Sequence, residues 1–211
     1  MRKHLLPLSI IALTFLFSII VYPSLPNEVA SHWGTNGEVD GYMSKLWGAF
    51  FLPILLLGLY FLLTFLPNID PKKENYKKFA GTYNLIILLF VIFLAMLHVG
   101  VLLFNLGMNI NIAMIVPIAV GVLFIILGNY MPKFKHNYFV GIKTPWTLAN
   151  EKVWAKTHRF GGKVFIVMGL ILIFSAFFNG TAQFIVLLSV TFGGVFLLFL
   201  MSYIYFKKET K

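Results

Sequence analysis

The sequence predicts an all-α, polytopic membrane protein of about six transmembrane helices with both termini in the cytoplasm. Three observations predict it. The 211 residues are 59% hydrophobic and only 11% charged. The few charges leave long uninterrupted apolar stretches. Threaded through a bilayer, those stretches collect the Lys and Arg residues on one side. Soluble domains are roughly 45–50% apolar and about 25% charged, so this chain cannot present a water-compatible surface and needs lipid as its solvent. The length suits one helical bundle with little left for a soluble domain.

The first charge-free stretch, residues 5–27, follows Met1-Arg2-Lys3-His4. It imitates a signal peptide, but Leu5–Tyr22 is the length of a full span. Pro23-Ser24-Leu25-Pro26 offers no A-x-A-like cleavage site, so a retained first helix is expected. Residues 46–69 supply the second span, roughly Trp47–Leu66. Residues 79–132 exceed one crossing of about 20 residues. They break at the turn chemistry from Asn105 through Gly107 and Asn109 to Asn111, giving spans near 81–104 and 112–131. Residues 164–206 break at Asn179-Gly180-Thr181, giving spans near 163–178 and 183–206. The expected organisation is a two-helix module, 1–66, with an extracellular loop 23–46. A four-helix module, 67–211, follows with a cytoplasmic loop 132–163.

Six crossings place the N-terminus, loop 67–80, segment 132–163 and the C-terminal tail on one face. These hold 2, 4, 7 and 3 of the 17 basic residues, and the other face holds only Lys45. Cytoplasmic loops accumulate Lys and Arg, so the basic face is the inner one. Glu28, Glu38 and Asp40 lie on the outer face. The net charge of +10 therefore reads as topology and as affinity for anionic membrane lipids, with no direct nucleic-acid binding. The absence of cysteine excludes disulfides, thiolate metal sites and a Cys nucleophile.

The spans lack a central Asp, Glu, Lys or Arg, the groups that ion-coupled transporters place near the midplane. His98, in the third span, is the exception, with a hydrogen-bonded structural role and a functional role both open. Thr82 and Asn84 are candidates for interhelical hydrogen bonds, and Gly58, Gly193 and Gly194 for close helix packing. Pro53 and Pro117 are expected to bend their helices. The 23 Phe residues read as lipid and core contact.

The inner loop contains an expected short amphipathic helix near 150–160. Asn150 is its N-cap, and Glu151 sits in the first turn where the dipole favours an acid. Val153, Trp154, Thr157 and Phe160 share one face, as for a helix lying in the membrane interface before the fifth span.

Two motifs stand out. The outer loop runs Leu25-Pro26, then His32-Trp33-Gly34, then Asn36-Gly37-Glu38-Val39-Asp40-Gly41-Tyr42, and ends at Lys45. The inner loop runs from Asn137 through Gly141-Ile142-Lys143-Thr144-Pro145-Trp146-Thr147-Leu148 to Asn150-Glu151, Val153-Trp154 and Thr157-His158-Arg159. Together they resemble the SdpI family of bacterial membrane proteins. The first is similar to its N-terminal DUF1648-like module and the second to its long ungapped signature. The resemblance covers essentially the whole chain.

That resemblance implies a multi-pass protein of the bacterial plasma membrane that is not an enzyme and carries no cofactor or metal. It implies immunity to a secreted antimicrobial peptide toxin, with signalling by holding a cytoplasmic repressor at the membrane. The candidate toxin-facing residues are His32, Trp33, Asp40, Gly41 and Tyr42. The candidate partner-binding residues are Gly141, Lys143, Thr144, Pro145, Trp146, Thr147, Asn150, Glu151, Trp154, His158 and Arg159. Read from the residues alone, other roles stay open. The glycines of the outer loop are turn formers, and His32 with Asp40 is a weak metal pair. Pro145 extends Thr144 and ends any helix there, leaving Trp146 and Trp154 as interface anchors. Two further functions are weighed against immunity: a small lipid or peptide transporter, and a membrane-embedded enzyme using Glu151, His158 and Arg159 for acid–base work.

Overall fold

A computed structural model describes residues 2–178 and 180–210, without the side chains of Arg2 and Lys3. The elements in chain order are α1 (Arg2–Val21), β1 (Glu28–Trp33), β2 (Val39–Ser44) and α2 (Lys45–Ile69). There follow α3 (Lys73–Lys77), α4 (Ala80–Asn105), α5 (Ile112–Tyr130), α6 (Pro145–Ala149), α7 (Glu151–Ser175) and α8 (Gly180–Glu209). Six helices among the described residues are long and apolar enough to cross a membrane: α1, α2, α4, α5, α7 and α8. The chain is an all-α multi-pass membrane protein. Of the break expected at Asn179-Gly180-Thr181, Asn179 lies outside the described residues.

The turn between α4 and α5 forms as its residue types require. Gly107 takes φ +85°, a left-handed conformation open to glycine. Asn111 caps α5 by accepting from Met114 N–H at 3.0 Å. That turn, the β1–β2 hairpin and the start of α8 lie at one end of the bundle. α3, α6, the start of α1 and the end of α8 lie at the other.

The helices pack as two sets, α1 with α2 and α4, and α5 with α7 and α8. The expected division at residue 66 falls inside the last turn of α2, a helix that itself packs on α4. The tightest seam joins α5 to α7. A Cβ at Gly121 would stand 2.5 Å from the Gly169 carbonyl oxygen, and one at Gly128 would stand 2.6 Å from that of Gly162. Only hydrogen fits there, so the two backbones touch along two helical turns. Gly194 has a similar role against Met168, but Gly58 and Gly193 face open space. The expectation of close packing is corrected for those two.

Hydrogen bonds between helices also differ from expectation. Thr82 and Asn84 make none among the described residues. The cross-helix bonds include His98 to Ser18 Oγ at 2.7 Å, His4 to Tyr60 at 2.6 Å and Tyr83 OH to the Leu63 carbonyl at 2.5 Å. His98 is 2% exposed and ties α4 to α1, which favours the structural of its two readings.

Two loops are more ordered than their sequence suggests. The outer one is an antiparallel hairpin, with register shifts at Ala30/His32 and His32/Trp33. The inner one contains α6 but no separate helix over 150–160. α7 runs unbroken from Glu151, twelve residues before the fifth span was expected to start, with Asn150 accepting from Lys152 and Val153 N–H. Its Val153, Trp154 and Thr157 face is buried against protein, each at 2% exposure or less, and so is covered by the chain itself.

Candidate functional site

The hairpin is built to be rigid. Val29 is fully buried against Gly48, where a Cβ would collide with it at 2.6 Å. Asn105, at the end of α4, latches β1. Its side-chain oxygen accepts from Ala30 N–H at 2.7 Å and its amide donates to the Ala30 carbonyl at 3.2 Å. The sequence marked Asn105 only as a turn former. At the tip, Gly37 takes φ +81° and Thr35 lies against Gly180 of α8. Trp33 packs edge-on against Phe104 with ring centroids 5.4 Å apart.

Under the hairpin lies a cavity of about 730 Å³, walled by α5, α7 and α8. Its polar rim carries Ser31, His32, Asp40 and Gln183, and its deeper wall carries Ile112, Val116, Leu172 and Phe184. Apolar walls with a few convergent polar groups, at this volume, characterise ligand pockets. His32 Nδ1 and Asp40 Oδ1 are 2.5 Å apart, both exposed. Exposed pairs add little stability, so this one serves better as a presented donor and acceptor. No cluster of three metal-ligating side chains occurs among the described residues.

Of the five residues expected to face a ligand, His32, Trp33 and Asp40 line the cavity. Gly41 and Tyr42 do not line it. Gly41 sits opposite His32, where a Cβ would come within 2.8 Å of the His32 Cβ. Tyr42 points away and is 61% exposed. Gln183, which donates to the Ala113 carbonyl at 2.8 Å, was missed because nothing in the sequence of α8 sets it beside the hairpin.

At the opposite end the signature loop folds onto α7. Asn137 is fully buried. It donates to the Lys135 and Val140 carbonyls and accepts from Phe139 and Val140 N–H. Thr144 is extended ahead of Pro145, as expected. Pro145 then begins α6 rather than only ending a helix. Thr144 and Thr147 form a reciprocal capping box, and Thr147 also donates to the Ile142 carbonyl at 2.9 Å.

His158 fixes its own tautomer. Ile142 N–H donates to Nε2 at 2.9 Å, so Nδ1 carries the proton and donates to the Trp154 carbonyl at 2.8 Å. The Trp154 indole stacks on His158 at 4.0 Å and donates to the Phe134 carbonyl at 2.9 Å. Trp146 packs on Phe199 and Tyr203 of α8. The expectation that Thr144, Thr147, Trp154 and His158 face a partner is therefore corrected: Thr144 is 6% exposed and the other three 2% or less. Lys143, Pro145, Glu151 and Arg159 are the exposed members of that set, and Lys143, Glu151 and Arg159 its exposed charges.

Glu151, His158 and Arg159 share no hydrogen bond or ion pair among the described residues. Glu151 Oε1 lies instead 3.5 Å from both Lys72 Nζ and His136 Nδ1. The acid–base set proposed from their spacing is not assembled.

The missed residues at this end are Asp70, Tyr76 and His136. The Asp70 carboxylate, 2% exposed, accepts from Lys72 N–H at 2.7 Å, Tyr138 N–H at 2.9 Å and the Tyr76 hydroxyl at 3.0 Å. It thereby ties the α2–α3 turn to the signature loop. Burial, then the bond to Asp70, pushes the Tyr76 hydroxyl well above the usual tyrosine range and keeps it a donor. His136 is buried, and neither ring nitrogen is hydrogen-bonded. An isolated Asp ahead of Pro71 was the available sequence signal for this network.

Residues 133–206 match the SdpI/YfhL protein family, and residues 9–57 match a domain of unknown function, DUF1648. The immunity protein SdpI of Bacillus subtilis (strain 168) is 34% identical over 208 residues, which cover 99% of this chain and 98% of that protein. No solved structure matches the chain. Likeness of that degree over nearly the full length of both proteins, with the signature folded onto α7 as one unit, shows that this chain belongs to the SdpI/YfhL family.

Proposed function

We propose that the protein is a non-enzymatic immunity and sensing protein of a bacterial plasma membrane, and that the cavity under the hairpin receives a secreted peptide toxin. The cavity is the observation that carries this reading. It lies at the end that carries Glu28, Glu38 and Asp40 and only one basic residue, Lys45, and the positive-inside rule supports an extracellular face there. Its apolar wall suits the side chains of a membrane-active peptide, and His32 and Asp40 offer polar contacts at the mouth. The relative's name, an immunity protein, supports the same reading. At the other end, the exposed Lys143, Glu151 and Arg159 offer a charged surface to a cytoplasmic repressor, held in place by the buried part of the signature.

The test is expression of the full chain in a Bacillus strain sensitive to a secreted toxin of this kind. Protection is expected from the parent protein. It should fall about tenfold or more when His32, Trp33 and Asp40 are replaced together by Ala, at unchanged membrane abundance, as for the loss of hot-spot contacts. Full protection by that triple variant would remove the cavity from the mechanism, and no protection by the parent against any such peptide would remove the function.

A further inference from the structure

A second built cavity lies at the α3 end, away from the hairpin. It measures about 370 Å³ and opens between the start of α1, the end of α2, α3 and the first turn of α4. Its wall carries His4, Asn68, Lys73, Glu74, Lys77 and Asn84. An adjoining groove of about 630 Å³ shares His4, Thr64 and Asn68 with it and continues along α2 over Phe61, Leu62 and Phe65. Those three side chains are 57%, 49% and 54% exposed, on a helix whose surroundings are hydrocarbon.

The polar part has donors that no protein group engages. Tyr76 and Tyr83, also on its wall, are spent on Asp70 and the Leu63 carbonyl. Lys77 pairs with Glu74 at 2.6 Å, and Lys77 in turn holds the Glu74 carboxyl below the usual carboxylate range. The Lys73 ammonium and the side-chain amides of Asn68 and Asn84 have no hydrogen bond or ion pair among the described residues. Lys73, Lys77 and Glu74 together leave one positive charge in excess. Unused donors and a net cation beside an exposed aromatic and aliphatic groove match one ligand chemistry: a phosphodiester headgroup with an acyl chain attached.

We infer that this composite site binds an anionic glycerophospholipid of the surrounding leaflet, with its phosphate against Lys73 and Asn84 and an acyl chain along Phe61, Leu62 and Phe65. The inference is independent of the toxin-binding cavity, which lies at the other end of the bundle.

The test uses the detergent-purified full chain. Thermal unfolding is followed while dioleoyl phosphatidylglycerol, dioleoyl phosphatidylcholine or inorganic phosphate is added. Phosphatidylglycerol is expected to raise the melting temperature in a saturable way, and the other two are not. Lys73→Gln should weaken the apparent affinity for phosphatidylglycerol about fivefold, the contribution of one interfacial lysine. Lys73→Arg should retain it. Lys78→Gln, which removes the same charge from a neighbour outside the cavity, should leave it unchanged. Equal shifts with phosphatidylcholine would overturn the inference. So would a shift reproduced by phosphate alone, or equal losses from Lys73→Gln and Lys78→Gln.

Discussion

Gly141 sits at φ +122°, a conformation that costs other residues about 1–3 kcal/mol. A Cβ there would also stand 2.3 Å from Nε2 of His158, the atom that accepts the Ile142 N–H. Gly141→Ala therefore both strains the backbone and displaces the histidine that pins the loop to α7. The expected result is a clear fall in the melting temperature of the purified protein, by the equivalent of about 2 kcal/mol or more. Gly58→Ala, where nothing lies within 4 Å of the new Cβ, serves as the contrast. It should be neutral or slightly stabilising, because Ala is the better helix former. Equal effects of the two would show that the Gly141 conformation is not the reason for its place in the motif. Linear sequence exposes Gly141 as a motif residue but not the sign of its φ or the ring it faces.

The seam between α5 and α7 shows why some packing could not be read from the chain. Its four glycines, Gly121 with Gly128 and Gly162 with Gly169, are spaced seven apart on two separate helices. The spacing that draws the eye is four residues or fewer, as in Gly193-Gly194, and only one of that pair packs closely. A seven-residue spacing becomes a contact surface only when the partner helix carries the same spacing in register. Gly128→Val is expected to force the backbones apart and make the protein unfold at lower denaturant or heat. Gly193→Ala should leave both measures unchanged. The start of α7 was hidden for a related reason. Lys152, Lys156, Arg159 and Lys163 give its first turns a loop-like charge density, yet Lys152 and Lys156 are held by Glu209 of α8 and the opposite face is covered by the signature loop. The hairpin was hidden because its two register shifts break the alternation that announces a strand.

The six spans were readable because hydrocarbon imposes a length and forbids charge, constraints that act on composition alone. Which residues meet inside the bundle depends on tertiary contacts, and there the sequence located the cavity's His32, Trp33 and Asp40 but not Gln183 or the Asp70 network. Orientation is the property of the entire chain that follows from charge alone. With 16 of the 17 basic residues at one end, the proposed topology puts α3, α6 and both termini inside the cell. Alkaline phosphatase, which is active only outside the cytoplasm, tests this when fused at successive turns. Fusions after Gly37, Asn109 and Thr181 are expected to be active, and fusions after Lys78, Lys135 and Glu209 inactive. Activity after Lys135 would invert the bundle, placing the hairpin cavity inside the cell, where it could not meet a peptide arriving from outside.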